Sequence, residues 1–128
     1  SSQQLNGKRI LLAEDNLFNQ KIVTKALADW GIDFQIAQNG MEAIEAVEQQ
    51  NFDAILMDIN MPVMDGLDAT RHIRSYCNEK SHLPIIAITA YAFQENIEQA
   101  QEAGMNDFIT KPFSKMQIYE KLTEVLSK

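Results

Sequence analysis

Asp58 directly follows a short apolar run, Ala54-Ile55-Leu56-Met57, and this pairing constrains the fold more than any other feature. Such a run reads as a strand covered on both faces, as in a parallel sheet. Pro62 and the Asp65-Gly66 pair then mark a loop, because both interrupt regular structure. In an open α/β sheet the ligand crevice lies outside the carboxyl ends of the strands. A carboxylate at that point is a candidate reactive group. The plainer reading is a solvated loop aspartate that caps the next helix.

The rest of the chain repeats the pattern. Lys8 to Ala13 reads as a first strand, followed at once by Glu14, Asp15 and Asn16. Asn16 opens a helical pattern to about Trp30, with Phe18, Ile22, Val23, Ala26 and Trp30 on its inner side. Gly31 supplies the left-handed stop that helix ends favour. Phe34 to Ala37 is a second strand. Asn39 and Glu42 resemble a capping box for a helix carrying Ala43, Ile44 and Val47. Leu67 to about Tyr76 is a third helix, and residues 78–83 form a polar connection. Pro84 to Thr89 is a fourth strand, Gln94 to Ala103 a helix stopped by Gly104, and Asp107 to Thr110 a fifth strand. Ser114 and Gln117 make a capping box for a last helix with Met116, Ile118 or Tyr119, Leu122 and Val125 facing in. Five alternations of strand and helix select an α/β fold with a parallel sheet, because parallel neighbours need helical crossovers. Right-handed crossovers leave helices on both faces. Residues 1–7 read as a linker or disordered lead and residues 8–128 as one domain.

Composition narrows the function. A net charge of −7 argues against a nucleic-acid partner. No apolar run approaches the roughly 20 residues of a membrane helix, and no secretory leader is expected. Cys77 is the only cysteine, so no internal disulfide can form. His72 and His82 have no metal-ligand spacing around them and read as surface residues.

The polar residues at the strand ends matter together. If the first and third strands are neighbours, Glu14, Asp15 and Asp58 converge. Like charges that close raise one another's pKa values unless a cation intervenes. A small number of oxygen ligands suits Mg²⁺. The fourth strand ends in Thr89, a hydroxyl donor, and the fifth ends just before Lys111, a compact positive charge. This is equipment for holding a phosphoryl group against a carboxylate nucleophile. Each residue also has a plain reading: a solvated lysine before a proline, a β-branched strand threonine, an acidic N-cap. Their joint placement is the signal.

At these residues the chain resembles a response-regulator receiver domain over about Lys8 to Ser127. The matching motifs are Ala13-Glu14-Asp15-Asn16, Met57-Asp58-Ile59-Asn60-Met61-Pro62-x-Met64-Asp65-Gly66, Thr89-Ala90 and Thr110-Lys111-Pro112. The resemblance implies a flavodoxin-like doubly wound (βα)5 fold with strand order 2-1-3-4-5. It implies Asp58 as phosphoacceptor in a two-component or phosphorelay system. Asp15, Asp58 and the Asn60 backbone carbonyl would bind Mg²⁺, with Glu14 acting through metal-bound water. Thr89 and Lys111 would contact the phosphoryl oxygens, and Thr89 and Phe108 would form the switch. Many members have Tyr where Phe108 stands, so a hydroxyl-dependent switch is not expected here. A cis bond between Lys111 and Pro112 is also implied.

The run Glu14-Asp15-Asn16-x-x-Asn19-Gln20 resembles receivers of hybrid sensor histidine kinases. A stand-alone response regulator is the alternative. The partner implied is a histidine kinase or a histidine-containing phosphotransfer domain, met by a monomer that touches neither nucleic acid nor membrane. The domain is expected in the cytoplasm, its parent chain anchored in the inner membrane or not. Such a domain catalyses its own phosphorylation and dephosphorylation. On a helical wheel Leu17 lies opposite the apolar stripe of the first helix, beside Lys21 and the crevice. The resemblance implies that a phosphotransfer domain meets this helix, which makes Leu17 and Lys21 candidate docking residues, and Pro112 is a third candidate. Other classes fit less well. An aspartyl-phosphate phosphohydrolase would carry its nucleophile after the first strand, with a second Asp two positions on, whereas Asp58 is followed by Asn60. An FMN protein would need a phosphate loop where Glu14 and Asp15 stand. A receiver that is never phosphorylated would lack one of the key residues, and none is missing.

Overall fold

In a computed structural model describing residues 5–127, five strands and five helices alternate. They are β1 (Arg9–Ala13), α1 (Leu17–Asp29), β2 (Asp33–Ala37), α2 (Gly40–Gln49), β3 (Ala54–Asp58), α3 (Gly66–Tyr76), β4 (Ile85–Thr89), α4 (Gln94–Ala103), β5 (Asp107–Thr110) and α5 (Lys115–Leu126). All strand pairs are parallel, and the sheet order is β2-β1-β3-β4-β5. This is the flavodoxin-like (βα)5 arrangement.

The period-two alternation of strand side chains divides the interior into two layers. Leu11, Ile55, Met57, Ile85 and Ala87 face α2, α3 and α4, meeting Val47, Ile73 and Ala100. Ile10, Leu12, Leu56, Ile86 and Ile88 face α1 and α5, meeting Val23, Leu27, Ile118 and Leu122. Each fully buried aliphatic side chain contributes about 1.5–3 kcal/mol. β3 and β4 are apolar up to their last residues, Asp58 and Thr89, because both of their faces are covered.

Several expectations are corrected. Phe18 is 71% exposed and Ile22 also faces outward; the inner face of α1 carries Gln20, Val23, Ala26 and Leu27. Gln20 goes inward because its amide donates to the Glu14 carbonyl at 2.6 Å. Met116 is exposed, and α5 packs through Ile118 and Leu122. The Asn39 box is half formed: Asn39 accepts from the Glu42 N–H, but the Glu42 carboxylate accepts from Gln38 N–H. The box at Ser114 and Gln117 is complete. Asp65 is the N-cap of α3, so Gly66 starts that helix. Asn78–His82 form a 3₁₀ turn. The lead is not loose at its end. Leu5 is 1% exposed in the α1–α5 layer, and Gly7 N–H donates to the Gly31 carbonyl at 3.0 Å. Residues 1–4 of that expected linker, and residue 128 of the domain, lie outside the described residues. The Lys111–Pro112 bond is cis, as expected.

Candidate functional site

Strand register builds the site. Ala13 pairs with Met57, so Glu14 and Asp15 emerge beside Asp58. Thr89 pairs with Thr110, which sets Lys111 one residue beyond. Glu14, Asp15 and Asp58 present carboxylate oxygens within 4.8 Å of one another. Lys111 Nζ lies 3.0 Å from Asp58 Oδ2 and 3.5 Å from Glu14 Oε1.

Asp58 is 2% exposed, and its other oxygen accepts from the Asn60 N–H at 3.1 Å. Gly66 closes the loop over it. A Cβ at Gly66 would sit 2.2 Å from the Asp58 carbonyl oxygen, a contact no side chain tolerates. The Gly66 N–H donates to the Ile59 carbonyl instead.

Glu14 is fully buried. Its Oε2 accepts from the Asn16 N–H at 3.1 Å, while Oε1 has no hydrogen-bond partner. Burial, then the neighbouring Asp58 carboxylate, push its carboxyl up to about 7, against the opposing pull of the Asn16 N–H and Lys111. Lys111 is the converse. Burial alone would lower its ammonium pKa, but Asp58 and then Glu14 outweigh burial and hold it above the usual lysine value. Three carboxylates against one ammonium leave surplus negative charge in a partly enclosed crevice.

Thr89 stands at the β4 end, but its hydroxyl is turned into the following loop. It donates to the Tyr91 carbonyl at 3.0 Å and accepts from the Tyr91 N–H at 3.1 Å. Phe108 is half-buried against the α2–α4 layer, beside a cavity of about 70 Å³ lined by Ile97, Ala100 and Met105. Leu17 is 65% exposed, and Lys21 and Pro112 are exposed too. The structure thus brings Glu14, Asp15, Asp58 and Lys111 together, while the Thr89 hydroxyl is bonded to Tyr91 and Phe108 packs against the α2–α4 layer. Sequence reasoning missed Phe18, which joins Leu17 on the open face of α1, because an apolar residue in an amphipathic helix reads as core. It also missed Gln20, whose polar character hid its burial.

Comparison with known proteins agrees with this geometry. The response regulator receiver domain family matches residues 10–123. The hybrid signal transduction histidine kinase I of Dictyostelium discoideum is 38% identical over the whole of this chain, which spans 8% of that protein. Eight such curated relatives are matched over only 3% to 16% of their own lengths. The receiver domain of the sensor histidine kinase PA1611 of Pseudomonas aeruginosa, solved with magnesium coordinated in its active-site cleft, superposes with a TM-score of 0.89. It is 39% identical, and the match covers 95% of this chain and 99% of that one. The co-crystal structure of the Saccharomyces cerevisiae phosphotransfer protein Ypd1 with the receiver domain of Ssk1 matches with a TM-score of 0.90 at 29% identity, covering 96% of this chain and 91% of that one.

Proposed function

The chain belongs to the response regulator receiver domains, whose function is phosphoacceptance in two-component or phosphorelay signalling, and we propose that its acceptor is Asp58. The observation that carries this reading is the pairing of a buried carboxylate at the end of the central strand with Lys111 at 3.0 Å, opposite an acidic pair.

An Asp58 oxygen attacks phosphorus, the phosphorus–nitrogen bond of a donor phosphohistidine breaks with its electron pair returning to that nitrogen, and the ring leaves as neutral imidazole because its other nitrogen carries a proton. Lys111 shifts its ammonium from the Asp58 carboxylate to the phosphoryl oxygens, where negative charge is greatest. Asn60 N–H holds the second carboxylate oxygen and so orients the nucleophile. The donors fit a hard divalent cation: the carboxylates of Asp15 and Asp58, the Asn60 carbonyl and Glu14 Oε1, which accepts no hydrogen bond, are all oxygens. Mg²⁺ bound there would neutralise charge on the transferring group.

The new phosphoryl group adds charge and acceptor oxygens. The Thr89 hydroxyl leaves Tyr91 to donate to it, and Phe108 moves into the space released. This is a two-state switch read on the α4–β5 surface. The donor is a histidine kinase or a histidine-containing phosphotransfer domain, docking on Leu17, Phe18, Lys21 and Pro112 around the crevice. The parent is a hybrid sensor histidine kinase with this domain in the cytoplasm.

Intact-mass analysis after incubation with acetyl phosphate and Mg²⁺ tests the acceptor. One phosphate mass is expected, absent with EDTA and absent in Asp58→Asn. Equal labelling of Asp58→Asn refutes the assignment.

A further inference from the structure

A second cluster of ligand-type side chains lies at the far end of α3 from Asp58. Glu48 near the end of α2, His72 on α3 and Cys77 at the α3 C-cap bring a carboxylate oxygen, an imidazole nitrogen and a thiol sulfur within 4.8 Å of one another. The site belongs to no part of the phosphoryl chemistry. Among the described residues, none of these three side chains makes a hydrogen bond or ion pair. Lys80, which lines the adjoining cavity with Glu48, Cys77 and Glu79, directs its ammonium to the carbonyls of Val47 at 2.5 Å and Gln50 at 2.9 Å. The cavity has a volume of about 300 Å³ and opens to solvent. His72 leans on the Tyr76 ring, with centroids 4.9 Å apart, which limits the positions its imidazole can take.

The donor chemistry selects the ligand. A thiolate, an imidazole and a carboxylate suit Zn²⁺, whereas Mg²⁺ and Ca²⁺ prefer oxygen alone. Zinc bonds of about 2.0–2.3 Å place tetrahedral ligand atoms roughly 3.5 Å apart. Closing the cluster therefore takes small side-chain movements. Glu48 is exposed and His72 half-buried, so both can move, while buried Cys77 supplies a fixed point. Burial, then the Glu48 charge, holds the free thiol above its ordinary pKa, which argues against a redox or nucleophilic role for it.

We propose that Glu48, His72 and Cys77 bind one zinc ion with three protein ligands and one water, joining the C-terminal ends of α2 and α3. The thiol proton passes to solvent on binding. The spacing of His72 and Cys77 along the chain does not reveal the site, because the third ligand comes from another helix.

Cobalt(II) spectroscopy tests it on the whole chain, with saturating Mg²⁺ filling the oxygen-only crevice. One equivalent of Co²⁺ should give a thiolate-to-cobalt charge-transfer band in the near ultraviolet, and Zn²⁺ should displace it. His72→Ala should weaken both metals by more than about tenfold, and Cys77→Ser should abolish the band. No band in the native chain, or unchanged affinity in His72→Ala, overturns the proposal. If Cys77→Ser does not fold, His72→Ala decides, since His72 is half-exposed and outside the core.

Discussion

The two ends of the sheet each hold a cationic side chain, and the two are used in opposite ways. At the amino end of the strands, the Arg74 guanidinium donates to the carbonyls of Gly104 at 2.9 Å, Ser81 at 2.8 Å and Leu83 at 2.7 Å, and to Asn106 Oδ1 at 2.9 Å. Asn106 Oδ1 also accepts from the Ile85 N–H. Every partner is neutral, and the guanidinium's fork is matched by fixed acceptors. At the carboxyl end, Lys111 faces carboxylates that outnumber it, and Glu14 Oε1 is left without a hydrogen bond. A saturated cation ties elements together. An undersupplied one marks a place that awaits more positive charge or a new anion.

The largest stability effect should therefore come from the end that does no chemistry. Arg74→Ala leaves four acceptors without this donor, in the 3₁₀ turn, the approach to β4, the α4 C-cap and the approach to β5. A loss of about 4 kcal/mol is expected by urea unfolding. The folded fraction should still take phosphate from acetyl phosphate at the native rate. A labelling defect in folded protein would break the comparison.

Glu14 should show the reverse signature. A carboxyl raised from its ordinary 4.5 to about 7 favours the protonated form in the fold. Its stabilising contribution is full below 4.5 and is lost as pH rises through about 7. In EDTA, Glu14→Gln should be more stable than the native chain by about 2 kcal/mol at a pH above that range, and hardly different below it. Mg²⁺ should reduce the difference at high pH, because it supplies the missing positive charge. A pH-independent difference would show that Glu14 is not strained by its charge.

The carboxyl end was legible in the sequence, and the amino end was not. Asp58, Thr89 and Lys111 each stand where an apolar run stops, so pattern alone places them at the crevice. The sheet order came from the family resemblance, since alternation fixes a parallel sheet without ordering its strands. Arg74 could not be read. Its partners are backbone carbonyls and an amide up to 32 residues away, and carbonyls have no sequence signature. The α1 face was misread for a related reason. Gln20 is buried by one bond to the Glu14 carbonyl, while Phe18 is left outside, and hydropathy records neither.

The exposed apolar residues of α1 sharpen the contrast at lower energy. If Leu17 and Phe18 are held open for a phosphodonor protein, Leu17→Asp should slow transfer from a phosphotransfer domain by about tenfold, near 1.4 kcal/mol. Acetyl phosphate needs no docking surface, so its labelling rate should not change. Equal slowing of both donors would assign Leu17 to the site itself. No slowing of either would put the docking surface elsewhere.

The smallest effect concerns the backbone. Among the described residues, each end has one non-glycine residue with positive φ: Val63 at 69° in the loop after Asp58, and Asn78 at 51° in the 3₁₀ turn. Asparagine tolerates that region, whereas a β-branched valine does not. Val63 is 82% exposed, so no packing holds it there. Its turn is closed by the Met64 N–H donating to the Pro62 carbonyl at 2.7 Å, a three-residue turn of the strained kind. Such strain costs about 1–3 kcal/mol, and glycine's extra freedom in the unfolded chain returns about 0.5–1 kcal/mol of that. Val63→Gly should therefore raise stability by about 1 kcal/mol, while Asn78→Gly should change it by only a few tenths. Chemical denaturation of both variants gives the comparison directly. Equal gains at both positions, or a loss at Val63, would mean that backbone strain is not concentrated beside the phosphoacceptor.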